Sequence, residues 1–225
     1  KERKIKLLNH DKLNNLIGTL TDYHANGSYE RLKKNVEISE IKNDVLMIRT
    51  TDLERDDFYS DVRYISKNAY GFLEKTKVFG GEIIINKIGT NSGNVYFMPF
   101  LNRKISLGMN QFMIKNYKIN NYYLYIYLVS GIGSKLIKRR INGSAPFSID
   151  KESILILNIP IFSNNFQSGI ENLVKLSYQK LEESKILYKE AEELLLKELD
   201  LLNFAPSDEN ISIKSFKDSF MQTGR

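Results

Sequence analysis

The distribution of apolar and polar positions divides the chain into three parts. Through residues 1–166, short runs rich in β-branched and aromatic residues alternate with clusters of Gly, Asn, Ser and Asp. The runs are VLMIRT (45–50), EIIINKI (82–88), NVYFMPF (94–100) and QFMIKNY (111–117). Each has the composition and turn-bounded length of a β-strand. GTNSGN (89–94) lies between two of them and reads as a hairpin loop. NYYLYIYLVSGIGSKLIKR (121–139) repeats Leu124, Leu128, Ile132 and Leu136 at i+4, which predicts one helix. SILILNIPIF (153–162) reads as a closing strand that ends at Pro160. No period of 20–50 residues recurs. The first part is therefore expected to be a mixed α+β domain dominated by strands.

The second part, QSGIENLVKLSYQKLEESKILYKEAEELLLKELDLLN (167–203), is patterned differently. It contains no proline, and as one helix it would span roughly 55 Å. Val174, Leu181, Tyr188, Leu195 and Leu202 recur every seven residues. Leu173, Leu187, Leu194 and Leu201 form an adjacent row, interrupted by Lys180. Ser177, Ser184 and Ala191 form a row of small residues beside them. Leucines flanking a small-residue seam suit close approach of a second long helix. An amphipathic helix lying on its own domain is the alternative, but this length exceeds what a domain of about 166 residues covers. The third part, 204–225, breaks at Pro206 and turns polar, as a linker or the start of a further segment.

Charge sharpens this division. The net charge is +6, yet residues 1–166 hold 25 Lys/Arg against 16 Asp/Glu, while 167–203 hold 5 against 8. The positive balance lies on the strand-rich part, which suggests a polyanionic partner, nucleic acid being the commonest. There is no run of about 18 apolar residues to span a membrane. The N-terminal KERKIKLLNHDKL lacks the apolar core of a signal peptide. There are no cysteines, which fits a reducing cytoplasm and excludes thiol chemistry and disulfides. A cytoplasmic location is expected.

Catalytic patterns are missing. Neither KIGTNSGNVYF nor GIGSK contains GxxxxGK[ST], and no GxGxxG precedes a helix. There is no Asn-Pro-Pro-aromatic stretch of an amino-methylating enzyme. The two histidines, His10 and His24, cannot build a histidine-rich metal site, and with only these two available the serines lack a plausible base. DLERDD (52–57) reads as a solvated turn rather than a two-metal site. No metal, cofactor or catalytic residue is expected.

Binding chemistry is easier to locate. Lys135, Lys138, Arg139 and Arg140 close a predicted helix, followed by Asn142, Gly143 and Ser144. Dipole complementarity accounts for some of these cations, and phosphate contact for the excess. DYHANGSYERLKK (22–34) offers Tyr23, His24, Asn26 and Ser28, then Arg31, Lys33 and Lys34. Such polar and aromatic side chains can reach base edges. A plain surface turn is the alternative. Arg49, Thr50 and Thr51 stand at a strand end, where Arg is a guanine reader by chemistry. Lys87, Asn91, Ser92, Arg103, Lys104 and Asn110 lie in further loops.

VLMIRTTDLERDDF, KVFGGEIIINKIGTNSGNVYFMP, SLGMNQF, RRINGSAPFSIDKESILILNIPIF and the leucine-rich helix follow in that order. Together they resemble a target recognition domain and its following long helix from the specificity subunit of a type I restriction-modification system, over roughly residues 15–203. The resemblance implies an α+β, strand-dominated recognition domain (1–166), a coiled-coil-forming spacer helix (167–203) and the incomplete start of a second half (204–225). It also implies double-stranded DNA as ligand. Each of two domains would read one half of a split target, with adenine methyltransferase and restriction subunits as partners and no catalytic centre of its own. Here there is one domain and one helix, so the chain is expected to be a fragment or a half-subunit able to form a homodimer through its helix. A recognition domain from a single-chain restriction-methylation enzyme, or a coiled-coil scaffold that binds no DNA, are the rival readings.

Overall fold

The computed structural model describes residues 8–144 and 146–202. The chain divides into two compact units, Lys1–Lys175 and Leu176–Arg225. The segment 204–225, expected to begin a further half, lies outside the described residues.

The first unit is mixed α+β. Strands β1 (His10–Lys12), β2 (Ile17–Asp22), β3 (Val45–Ile48), β4 (Arg63–Ile65) and β5 (Lys77–Val78) come first. They are followed by β6 (Ile83–Asn86), β7 (Val95–Phe97), β8 (Ile105–Leu107), β9 (Gln111–Tyr117) and β10 (Asn158–Pro160). Helices α1 (Leu13–Leu16), α2 (Tyr29–Asn35), α3 (Thr50–Arg55), α4 (Lys67–Phe72), α5 (Asn121–Val129), α6 (Gly133–Lys138) and α7 (Lys151–Leu155) connect them, and α8 (Asn164–Glu198) follows. One four-stranded antiparallel sheet has the order β2-β9-β6-β7. The other has the order β4-β3-β8-β5, with β3 and β8 parallel. β1 and β10 form a separate antiparallel pair.

The two-residue period of a strand explains the layering. Ile83 and Ile85 of β6, with Phe112 and Ile114 of β9, face a core shared with Leu124, Leu128, Leu136 and Ile137 of α5 and α6. Ile84 and Met113, the alternate positions, face a second core with Leu46, Ile48, Ile105 and Leu107 of the other sheet. Val45 and Met47 face a third core with Leu32 of α2 and Ala69 of α4. Central strands are thus buried on both faces. That is why VLMI and III are unbroken apolar runs instead of alternating ones.

Two predicted elements of this unit are corrected. The single helix expected over 121–139 is two, α5 and α6. The Ser130 hydroxyl donates to the Tyr127 carbonyl (2.6 Å), and Gly133 N donates to Ser130 Oγ (3.3 Å). A Cβ on Gly133 would lie 2.0 Å from the Tyr127 carbonyl oxygen, so only glycine permits the break. SILILNIPIF is not one strand either. Its first residues complete α7, which is capped by Asp150 accepting from Ser153 N (2.7 Å), and only Asn158–Pro160 pairs as β10.

The first turns of α8 belong to the first unit. Gln167 Oε1 accepts from Asn120 N (3.1 Å), and Glu171 accepts from Asn120 Nδ2 (2.5 Å). The second unit holds the rest of α8. The helix expected to reach Asn203 ends at Glu198, and Asn203 itself lies outside the described residues. Asp200 takes the left-handed conformation (φ 56°), and Leu201 N donates back to the Leu196 carbonyl (2.8 Å). This is a helix stop without glycine, which an aspartate tolerates better than most residues. Leu202, counted above as the fifth heptad position, therefore falls beyond the helix. Val174 is half-buried. Leu181, Tyr188, Leu195 and the small residues Ser177, Ser184 and Ala191 are exposed, and Ser184, Leu187, Tyr188 and Ala191 line a shallow groove.

Candidate nucleic-acid interface

The strand register gathers several loops at one end of the two sheets. Asp22 pairs with Phe112, Asn86 with Gln111, and Ile85 with Val95. The ends of β2 and β6 and the starts of β7 and β9 therefore lie together. Thr50, which opens α3 after β3, joins them from the second sheet. Its hydroxyl donates to Asn86 Oδ1 (3.1 Å). The Gln111 amide, oriented so that both ends are satisfied, donates to the Ile48 carbonyl (3.3 Å) and accepts from Thr50 N (3.0 Å). Asn86 and Gln111 are fully buried, and such groups persist in a core only when hydrogen-bonded.

Above this layer the β6–β7 hairpin is tied on two sides. Gly89 N donates to the Phe147 carbonyl (2.9 Å), and Ile149 N to the Lys87 carbonyl (3.0 Å). The buried Ser92 hydroxyl sits between the carbonyls of Gly89 (2.7 Å) and Phe147 (2.9 Å). Asn142 and Ser148 exchange backbone hydrogen bonds, closing the 142–148 loop beside it. Gly93 (φ +79°) lies so close to α6 that a Cβ there would be 2.8 Å from Ile137 Cγ2. The hairpin thus rests against α6, which ends at Lys138 and is followed by Arg139 and Arg140. Lys87 Nζ donates to Asp22 Oδ2 (2.9 Å) and stands 5.1 Å over the Phe112 ring. Asp22 also accepts from Ala25 N (3.1 Å), which fixes the short 3-10 turn Tyr23–Asn26.

α3 is held by an acid that the sequence pattern placed in a solvated turn. DLERDD is instead largely helical, and Asp52 is fully buried. Its carboxylate accepts from Arg49 N (2.7 Å), from the Arg49 guanidinium (2.7 Å) and from Arg55 (3.4 Å). The Arg49 guanidinium also donates to the Asp61 carbonyl. A hydrogen bond from Arg63, with Arg49 and Arg55 nearby, holds the Asp61 carboxyl below the usual carboxylate range.

The structure sorts the residues singled out above by what they touch. His24, Ser28, Lys33, Thr51, Asn91, Asn110, Lys138, Arg139, Asn142 and Ser144 are exposed. Thr51, Asn91, Asn110, Lys138, Arg139, Asn142 and Ser144 stand on or beside the tied loops; His24 is in the 3-10 turn. Tyr23 is buried in the third core. The Asn26 amide bridges to Lys75 N (2.9 Å) and Thr76 Oγ1 (3.0 Å), a structural engagement. Lys33 is on α2, and among the described residues no hydrogen bond joins it to the loop cluster. Arg103 precedes β8, at the opposite end of the parallel pair from Arg49, where it donates to the Phe58 carbonyl (3.1 Å).

Sequence reasoning missed Glu54. This exposed carboxylate accepts from Asn91 Nδ2 (2.5 Å) and Tyr96 OH (3.4 Å), linking α3 to the hairpin. The signal that could have found the underlying layer is the polar end of an apolar strand, IIIN and NQFMI. Among the described residues no cluster of three or more His, Cys, Asp or Glu could hold a metal, and no helix is long and apolar enough to cross a membrane.

The arrangement is an α+β domain presenting loops from two packed sheets, with a long helix after it. No family model and no curated protein matches the sequence. Among solved structures, the chain is similar to the specificity subunit of a type I restriction-modification system from M. genitalium. The TM-score is 0.53 at 16% identity, over 83% of this chain and 44% of that one. It is also similar to a chain in a structure describing complex assembly and conformational transition of the type I restriction-modification system (TM-score 0.52, 13% identity, 86% of this chain and 44% of that one). The chain spans less than half the length of these neighbours. The fold is that of type I specificity subunits, one domain with its long helix.

Proposed function

We propose that the chain is a sequence-specific DNA recognition component of a type I restriction-modification complex, itself without a catalytic centre. Residues 1–166 read one half of a split target, and the long helix α8 (Asn164–Glu198) acts as spacer. The observation that carries this is the loop cluster, in which exposed Thr51, Asn91, Asn110, Asn142 and Ser144 lie beside the cationic end of α6. Neutral hydrogen-bonding side chains suit base edges, and cations beside them suit phosphates. The fold of the specificity subunits supports the same reading. Methyltransferase subunits, and restriction subunits through them, would be the protein partners. The exposed Leu181, Tyr188 and Leu195 rows would pair with a second long helix, from another copy or another half.

The test is duplex binding over a salt series. Arg139→Ala with Arg140→Ala is expected to weaken binding to every sequence alike. It should lower the slope of log affinity against log salt by about one for each phosphate no longer neutralised. Asn91→Ala or Asn110→Ala should change which sequence is preferred. Binding that is absent, or indifferent to salt, would favour a protein-binding scaffold and sink the proposal.

A further inference from the structure

We infer that Glu54 is a base-reading residue whose carboxylate accepts a hydrogen bond from the exocyclic amino group of a cytosine in the major groove. The inference rests on the DNA-reading function proposed above and names one specificity contact within it.

A carboxylate at a phosphate-binding surface needs a reason. It lowers affinity for any polyanion, so nonspecific attraction does not account for it. Its hydrogen bonds lie at an exposed position, where exchange with water leaves little net stability. Yet Glu54 is held with care. The buried Asp52 carboxylate, bonded to Arg49 and Arg55, fixes α3 two residues before it. Thr50 binds the helix start to Asn86 of the other sheet. Asn91 Nδ2 and Tyr96 OH, one from the hairpin loop and one from β7, both donate to Glu54 Oε1. Tyr96 OH in turn accepts from the buried Asn86 amide (3.4 Å). One carboxylate oxygen is thereby saturated from two directions, while Oε2 has no hydrogen-bond partner among the described residues.

What this offers a ligand is a single fixed acceptor with a negative charge. The four bases answer it differently in the major groove. Cytosine presents an amino donor and no acceptor. Adenine presents its amino group beside the N7 acceptor, guanine two acceptors, and thymine an acceptor and a methyl. A fixed carboxylate therefore attracts cytosine, is opposed in part by adenine N7, and is repelled by the other two.

The experiment selects bound duplexes from a random pool with the unaltered chain, then repeats the selection with Glu54→Ala and Glu54→Gln. The expected result is one target position where cytosine is preferred and where both variants lose about tenfold to a hundredfold of the discrimination. The other positions keep their preferences. Unchanged thermal unfolding of the variants checks their folding. A second arm needs no variant: a selected duplex with 2-pyrimidinone, which lacks the amino group, in place of that cytosine should bind the unaltered chain as weakly as Glu54→Ala binds the cytosine duplex. An unchanged profile for Glu54→Ala, a uniform gain in affinity for all duplexes, or lost preference for a base other than cytosine would each overturn the inference. Selection of no sequence at all by the unaltered chain would instead refute the DNA-reading function beneath it.

Discussion

Replacing Asp52 with alanine should destabilise the first unit by about 3 kcal/mol, since removing one partner of a buried pair strands the other. The carboxylate is fully buried and its four donors are within 3.4 Å: Arg49 N, Arg49 Nε, an Arg49 terminal nitrogen and Arg55. Breaking such a pair costs about 3–5 kcal/mol when the remaining charge stays dry. The Arg49 side chain is 28% exposed and retains the Asp61 carbonyl, so water and that carbonyl take up part of the loss. The lost acceptor for Arg49 N at the helix start adds about 1 kcal/mol, which keeps the total near 3. For a unit of this size, that lowers Tm by roughly 6–12 °C. Urea unfolding followed by tyrosine fluorescence and far-ultraviolet circular dichroism reads it, the chain having 13 tyrosines and no tryptophan. Asp52→Asn keeps an acceptor for Arg49 N without the charge and should lose about half as much. A loss below about 1 kcal/mol for Asp52→Ala would show that the two arginines are satisfied by water, and the account of α3 as a helix pinned from below would be wrong.

Two other perturbations test the frame of the site. Gly93→Ala forces a side chain onto a φ of +79° and against Ile137 Cγ2 at 2.8 Å. It should cost about 2–4 kcal/mol in chemical denaturation, combining left-handed strain with overpacking. A variant as stable as the parent would mean that the hairpin does not rest on α6. At the start of α8, hydrogen bonds from Lys175 and then Asn120 hold the Glu171 carboxyl below its usual range. A depressed folded-state value contributes stability that is present above the unfolded pKa of about 4.3 and lost as pH falls through the folded value. Glu171→Gln should therefore be less stable than the parent at pH 7 and equal to it in acid. A difference that widens below pH 4 would contradict the assignment.

The strands could be read because burial on both faces leaves a continuous apolar signature, and QFMIKNY is a strand over the whole run from Gln111 to Tyr117. The helix break at Ser130–Gly133 was also written in the sequence. The i+4 leucines concealed it, because Leu128 and Leu136 reach the same core from two short helices as they would from one long one. The buried role of Asp52 was not legible. Nothing in DLERDD distinguishes an acid facing water from one facing two arginines, since the difference depends on where β3 delivers the helix. The same holds for Asn26 and Lys87, whose partners Thr76 and Asp22 are 50 and 65 residues away in sequence. Loop polarity identifies a surface that can bind; it does not say which polar groups are already engaged.

If the chain reads DNA as proposed, the same division between engaged and free polar groups governs how its target could change. The position of the loops is set by the polar layer of Thr50, Asn86 and Gln111 and by the paired cores on either side of it. Asn86 and Gln111 are fully buried and Thr50 is half-buried between them, so altering one strands its partners and costs stability. Thr51 and Asn91 are exposed, and substitutions there cost little in folding, whereas Asn110, at a φ of 65°, is best exchanged for glycine or aspartate. Cores accept many apolar sequences of the right volume and pattern. A fold held in this way can persist at 13–16% identity while its exposed tips diverge. On this reasoning, exchanging tip residues should move sequence preference at nearly constant Tm, whereas exchanging Asn86 or Gln111 should lower Tm first and disturb every position of the target together.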